Sequence, residues 1–126
     1  MGDSNFELNH NSIMVTPDSW QVVLITPPAE LGAPVYKIFS GWDLPEEWRL
    51  SSGTHDLDNL KSFSSYFLWR QSSGTVYQLS KNKQPEFTEY VQSVFNAKVL
   101  APAKEFEFDI QCLSAADLDN ALTKAC

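Results

Sequence analysis

Residue types that usually carry chemistry are scarce in this chain of 126 residues, which holds two cysteines, two histidines and five glycines. Two cysteines cannot build the disulfide framework of a small secreted domain, so a reducing compartment is expected. Metal sites need three or four converging ligands. His10 lies in the N-terminal arm and His55-Asp56-Leu57-Asp58 reads as a solvated turn, so no metal and no cofactor is assigned. The few glycines support neither a GxGxxG loop nor a Walker loop, and no G-x-S-x-G nucleophile elbow occurs.

Positive charge is sparse as well. Nine basic residues stand against 16 acidic ones, a net charge of −7, and Lys81 and Lys83 do not extend into a basic run. Direct nucleic-acid binding needs a positive stripe that displaces counterions from phosphates, and anionic membranes ask for the same. Neither partner is expected. No stretch approaches the ~20 apolar residues of a membrane span. The N-terminus MGDSNFELNH lacks the basic-then-apolar layout of a signal peptide, and Phe6 replaces the Ser or Thr of a myristoylation motif. A soluble, cytoplasmic protein is the expectation.

What is present suffices for one core. Hydrophobic residues make up 43% and include four tryptophans, which points to a single domain over 1–126 with a loosely ordered arm at 1–11. The β-rich runs Ile13–Thr16 and Trp20–Thr26 flank Pro17-Asp18-Ser19 and read as a hairpin. Pro27-Pro28 stops the second run, Val35–Phe39 reads as a third strand, Ser40-Gly41 breaks it, and Asp43-Leu44-Pro45 is a turn.

The period then changes to helical: Phe87, Tyr90, Val91, Val94 and Phe95 share one side of a helix over about 85–97, with Pro85 in its first turn. Glu105–Cys112 alternates strictly and predicts a strand with Phe106, Phe108, Ile110 and Cys112 on its buried face. Cys112 is then an inert core thiol. Ser114, with Asp117 three residues on, predicts the start of a helix over about 114–125. The whole reads as α+β: a mostly antiparallel sheet of meander and hairpin strands with two helices packed on one face.

The least random feature is a repeated heptad, WRLSSGT at 48–54 and WRQSSGT at 69–75. In the second copy, Ser-Ser-Gly between strand-like flanks predicts a tight hairpin with glycine in the left-handed region. Counting outward sets Gln71 opposite Thr75, Trp69 opposite Tyr77 and Phe67 opposite Leu79, with a floor that segment 86–97 covers. The first copy sets Leu50 opposite Thr54, but its downstream arm HDLDN is a poor strand. The plain interpretation is one turn used twice on neighbouring strands. A sharper one places both loops at one end of the sheet, where Ser51, Ser52, Ser72 and Ser73, backed by Arg49 and Arg70, form a pad for a carboxylate or phosphate.

Trp42 and Trp48 flank the acidic turn DLPEE, where they either seal the core or anchor a partner. These observations favour a non-enzymatic protein-interaction module, binding another protein or itself as a homodimer through a strand edge or aromatic patch. The alternatives are a small-molecule or anion binder, enzymatic or not, working at the paired loops, and an acidic inhibitor of a nucleic-acid-handling protein.

Overall fold

The computed structural model describes residues 13–124; the expected arm at 1–11 lies outside them. The fold is α+β, as its periodicities predict, with the antiparallel strands distributed over two sheets. Their elements are β1 (Met14–Val15), β2 (Ser19–Thr26), β3 (Val35–Asp43), β4 (Glu46–Leu50), β5 (Leu60–Ser62), β6 (Tyr66–Arg70), β7 (Val76–Ser80) and β8 (Asp109–Leu113). One sheet has the order β1-β7-β6-β5 and the other β4-β3-β2-β8. The helices are α1 (Glu89–Phe95), α2 (Ala101–Glu105) and α3 (Ala115–Lys124), with a π-helical turn at Asn96–Leu100 joining the first two. No helix among the described residues is long and apolar enough to cross a membrane.

Strand alternation divides the apolar residues into two clusters. Trp20, Val22 and Ile38 from one sheet meet Phe67, Trp69, Tyr77 and Leu79 from the other, and Leu118 of α3 joins them. Across β2 and β3 the alternate residues Val23 and Phe39 point the opposite way, toward Val91, Phe95 and Val99. Trp20 ties the layers together, since its Nε1 donates to the Ser80 carbonyl at 2.7 Å.

The second heptad behaves as its spacing predicts. Trp69 pairs with Tyr77 and Phe67 with Leu79, and all four side chains are buried. Gln71 N donates to Thr75 O, and Gly74 takes φ 95° at the bend. Aromatic cross-strand neighbours contribute ~0.2–1 kcal/mol beyond an Ala–Ala pair. The cover differs from expectation, and the helices do not share one face: α1 lies on Val23 and Phe39, while the facing sheet and Leu118 of α3 cover the Trp69–Tyr77 surface on the other side.

Several local expectations are corrected. Ile13–Thr16 does not fold back on Trp20–Thr26: β1 pairs in parallel with β7, Val15 beside Tyr77. Asp18 makes the intervening segment a crossover between sheets, with its N–H on Gly41 O and its carboxylate accepting from Asp43 N. Ser40-Gly41 does not end β3, which runs on to Asp43 because β2 and β4 flank it on both sides. The predicted strand 105–112 is helical at its start. The helix begins late, at Thr88, whose hydroxyl accepts from Val91 N, and so leaves Pro85 outside and Tyr90 exposed. It then runs through the π turn to Glu105. That wider turn directly precedes Pro102, whose missing N–H and ring disrupt a regular α ladder.

Glu107 closes this helix in the left-handed region at φ 59°, and Phe108 N donates back to Ala103 O at 2.8 Å. Glycine normally fills this position. Strand β8 therefore starts at Asp109, Phe106 is exposed, and Glu105, Glu107 and Asp109 do not share a strand face. Cys112 is exposed on the edge rather than a core thiol, although partial burial still pushes its pKa up. Ser114 and Asp117 cap α3 reciprocally, each side chain accepting from the other's backbone N–H.

Candidate functional site

The first heptad is not a hairpin loop. After Leu50 the chain continues along β3, where Ser51 N donates to Ile38 O and Thr54 exchanges both backbone bonds with Tyr36. From Phe39 to Tyr36 β3 advances three residues while the opposing chain advances four, Leu50 to Thr54. The extra residue makes a β-bulge, with Gly53 at φ 100°. The bulge displaces the carbonyl that would accept from Ile38 N, and the Ser51 hydroxyl takes its place at 2.8 Å.

The two Ser-Ser-Gly segments then meet. Ser51 Oγ donates to Gln71 Oε1 at 2.7 Å, Ser72 N donates to Gly53 O, and Ser52 Oγ accepts from both Ser73 N and Ser72 Oγ. Ser51 and Gln71 are buried, while Ser52, Ser72 and Ser73 are exposed. The repeat thus joins the two sheets at one end, and its hydroxyls are engaged with each other. The arginines behind it diverge. Arg49 bonds to the Tyr77 hydroxyl, whereas Arg70 stands opposite Val76, whose side chain leaves the β6–β7 pair on the other face. Burial raises the Tyr77 pKa, and the Arg49 guanidinium opposes part of that rise.

Trp42, Trp48 and Arg49 come together elsewhere, at the free edge of β4. With Ile13, Met14, Val15, Thr16 and Glu47 they line an open groove of about 640 Å³ between β4 and β1. Trp42 is half-buried, its Nε1 donating to Thr16 O at 3.1 Å. Trp48 stacks one ring face on Phe39 with centroids 5.9 Å apart, yet it remains 36% exposed. Ile13 and Met14 are exposed beside it. Among the described residues, β3 is the one strand that pairs with β4, which stands at the end of its sheet. Ser51, Ile38 and the strand period direct the backbone groups of Arg49 and Glu47 toward β3, which leaves those of Glu46, Trp48 and Leu50 directed outward.

Elsewhere, His55 Nδ1 lies 2.8 Å from Pro34 O, and Asp56 accepts from Asp58 N in a closed local turn. Among the described residues no group of three or more His, Cys, Asp or Glu could hold a metal ion. Sequence reasoning missed the β1 side of the groove and Glu47, because it folded Ile13–Thr16 onto β2. The signal for β4 was nonetheless present as opposite charges flanking Trp48 in EEWRL. In comparisons with known proteins the chain matches no family model, no curated protein and no solved structure.

Proposed function

We propose that the protein is a non-enzymatic interaction module that docks through the free edge of β4, and that its partner there is a second copy of the chain. The observation that carries this reading is the self-complementarity of Glu46–Leu50 on a strand at the edge of its sheet. Antiparallel pairing about a two-fold axis at Trp48 places Glu47 opposite Arg49 on both sides of the axis. The outward backbone groups of Glu46, Trp48 and Leu50 then find partners, and the helix-bearing faces of the two copies stay on one side. Parallel pairing would set Glu47 against Glu47 and Arg49 against Arg49, which is repulsive. A two-fold interface of this kind joins one patch to itself. Trp48 supplies an exposed aromatic at its centre, where binding energy usually concentrates. The Ser-Ser-Gly segments serve the fold in this reading, since the Ser51, Ser52 and Ser72 hydroxyls already bond across the two sheets.

Sedimentation velocity over a concentration series tests it. The species should move from the 14.2 kDa monomer to twice that mass. Arg49→Glu should weaken association by about tenfold or more, and the swap Glu47→Arg with Arg49→Glu should restore it. A monomer at every concentration, or a charge reversal without effect, removes the proposal.

A further inference from the structure

We infer that a second cavity, distinct from the groove beside Trp42 and Trp48, binds a small apolar monocarboxylate whose charged end is held by Lys37 and Lys98. The cavity lies between the helix-bearing face of the β4-β3-β2-β8 sheet and the helical segment 89–105, and its volume is about 290 Å³. Its walls are apolar: Ile25, Val35 and Leu50 from the sheet, Val99 from the π turn, and Phe106 and Phe108 from the turn that follows α2. Lys37 and Lys98 are the charged groups in that lining.

Among the described residues neither lysine's ammonium group has an ion-pair or hydrogen-bond partner. In a chain with 16 acidic residues, a pocket whose lining carries two lysines and no carboxylate favours an anion. Binding pockets commonly combine apolar walls with a few convergent polar groups.

Local backbone features build this site. The π turn at Asn96–Leu100 carries both Lys98 and Val99, and such turns recur at functional positions. Glu107 holds a left-handed conformation between Phe106 and Phe108, a strained geometry for a residue with a side chain. Gly53 lies against the other lysine, and a Cβ there would stand 2.9 Å from Val35 Cγ2 and 3.4 Å from Lys37 Cε.

Size narrows the ligand. At the ~30 Å³ that a water molecule occupies in the liquid, the cavity takes on the order of ten heavy atoms. An eight-carbon fatty acid or an arylpropionate fills that space, and a longer chain would extend from it into solvent.

Titration of the ¹⁵N-labelled full chain with octanoate, octanol and acetate tests the assignment by amide chemical shifts. Octanoate should saturate and move the amides of Lys37, Lys98, Val99 and Phe106. Octanol should bind roughly tenfold more weakly, since it lacks the charge-assisted contacts. The double variant Lys37→Gln with Lys98→Gln should lose the preference for octanoate while retaining octanol. Equal binding of octanoate and octanol to the wild-type chain, saturation by acetate alone, or shifts confined to other surfaces would each overturn the inference.

Discussion

Replacing Ser51 by alanine removes one oxygen from the place where the two heptads meet. That oxygen accepts from Ile38 N and donates to Gln71 Oε1, and Ser51, Ile38 and Gln71 are all buried. Neither partner has ready access to water after the substitution. Ile38 N loses the hydroxyl that substitutes for a displaced backbone carbonyl. A buried polar group left unpaired costs ~1–3 kcal/mol. Two such groups, partly relaxed, put Ser51→Ala at about 2–4 kcal/mol. Ser52→Ala removes a hydroxyl with two contacts of its own, but at an exposed position where water substitutes, so its cost is below about 1 kcal/mol.

Urea denaturation at constant m-value measures the difference. The corresponding fall in Tm for Ser51→Ala is on the order of 10 °C in a domain of this size. A double-mutant cycle with Gln71→Leu adds a second criterion. The two changes share a hydrogen bond, so their costs should fall short of additivity by ~1 kcal/mol. If Ser51→Ala costs no more than Ser52→Ala, or if the cycle is additive, the buried bridge does not hold the sheets together.

Gly41→Ala should destabilise by ~1–3 kcal/mol, because the new Cβ would stand 2.9 Å from Val91 Cγ1 and 3.0 Å from Phe87 Cδ1; thermal unfolding that leaves Tm unchanged would show that α1 does not press on β3 there. Asp119 accepts from Ser62 Oγ and, at 3.0 Å, from Lys81 Nζ, which ties α3 to β5 and to the end of β7. Burial alone would raise the Asp119 pKa, but the Ser62 and Lys81 hydrogen bonds and the Lys81 charge outweigh it and hold it below the usual carboxylate value. A lowered folded-state pKa contributes stability that is complete above the unfolded value and is lost as acid protonates the folded carboxylate. Asp119→Asn should therefore reduce stability at neutral pH by less than about 1 kcal/mol, as the pair is partly exposed, and the gap from wild type should close below about pH 4. A gap that persists in acid would assign the effect to packing instead.

How far the letters alone reached varies with the distance over which each element is stabilised. The β6–β7 hairpin was legible to the register because its turn chemistry and its Trp69, Tyr77, Phe67 and Leu79 pattern agree within 15 residues. The cap of α3 was equally local, with Ser114 and Asp117 bonding to each other. The same heptad wording at 48–54 misled, because a glycine able to adopt positive φ serves a hairpin loop and a β-bulge alike. Only the presence of β3 alongside decides between them. The alternation in EFEFDIQC misled for a related reason. Its first letters continue a helix that Val91, Phe95 and Val99 anchor on Phe39, and burial there outweighs strand periodicity.

Of the residues singled out for a site, Trp42, Trp48 and Arg49 converge on one groove, and the four serines converge on one another. Arg70 faces away from Arg49, on the other side of the β6–β7 pair. The pocket holding Lys37 and Lys98 left no mark in the sequence, since they stand 61 positions apart and neither stands in a motif. Composition, hydrophobic period and turn chemistry by themselves determined an α+β chain with an aromatic hairpin and a capped terminal helix, because these depend on neighbours a few residues apart. Division into two sheets, reuse of one heptad as both bend and bulge, and the placing of β4 at an edge were decided only by tertiary packing. They rest on contacts between distant segments, whose strength depends on which apolar face each one finds to cover it.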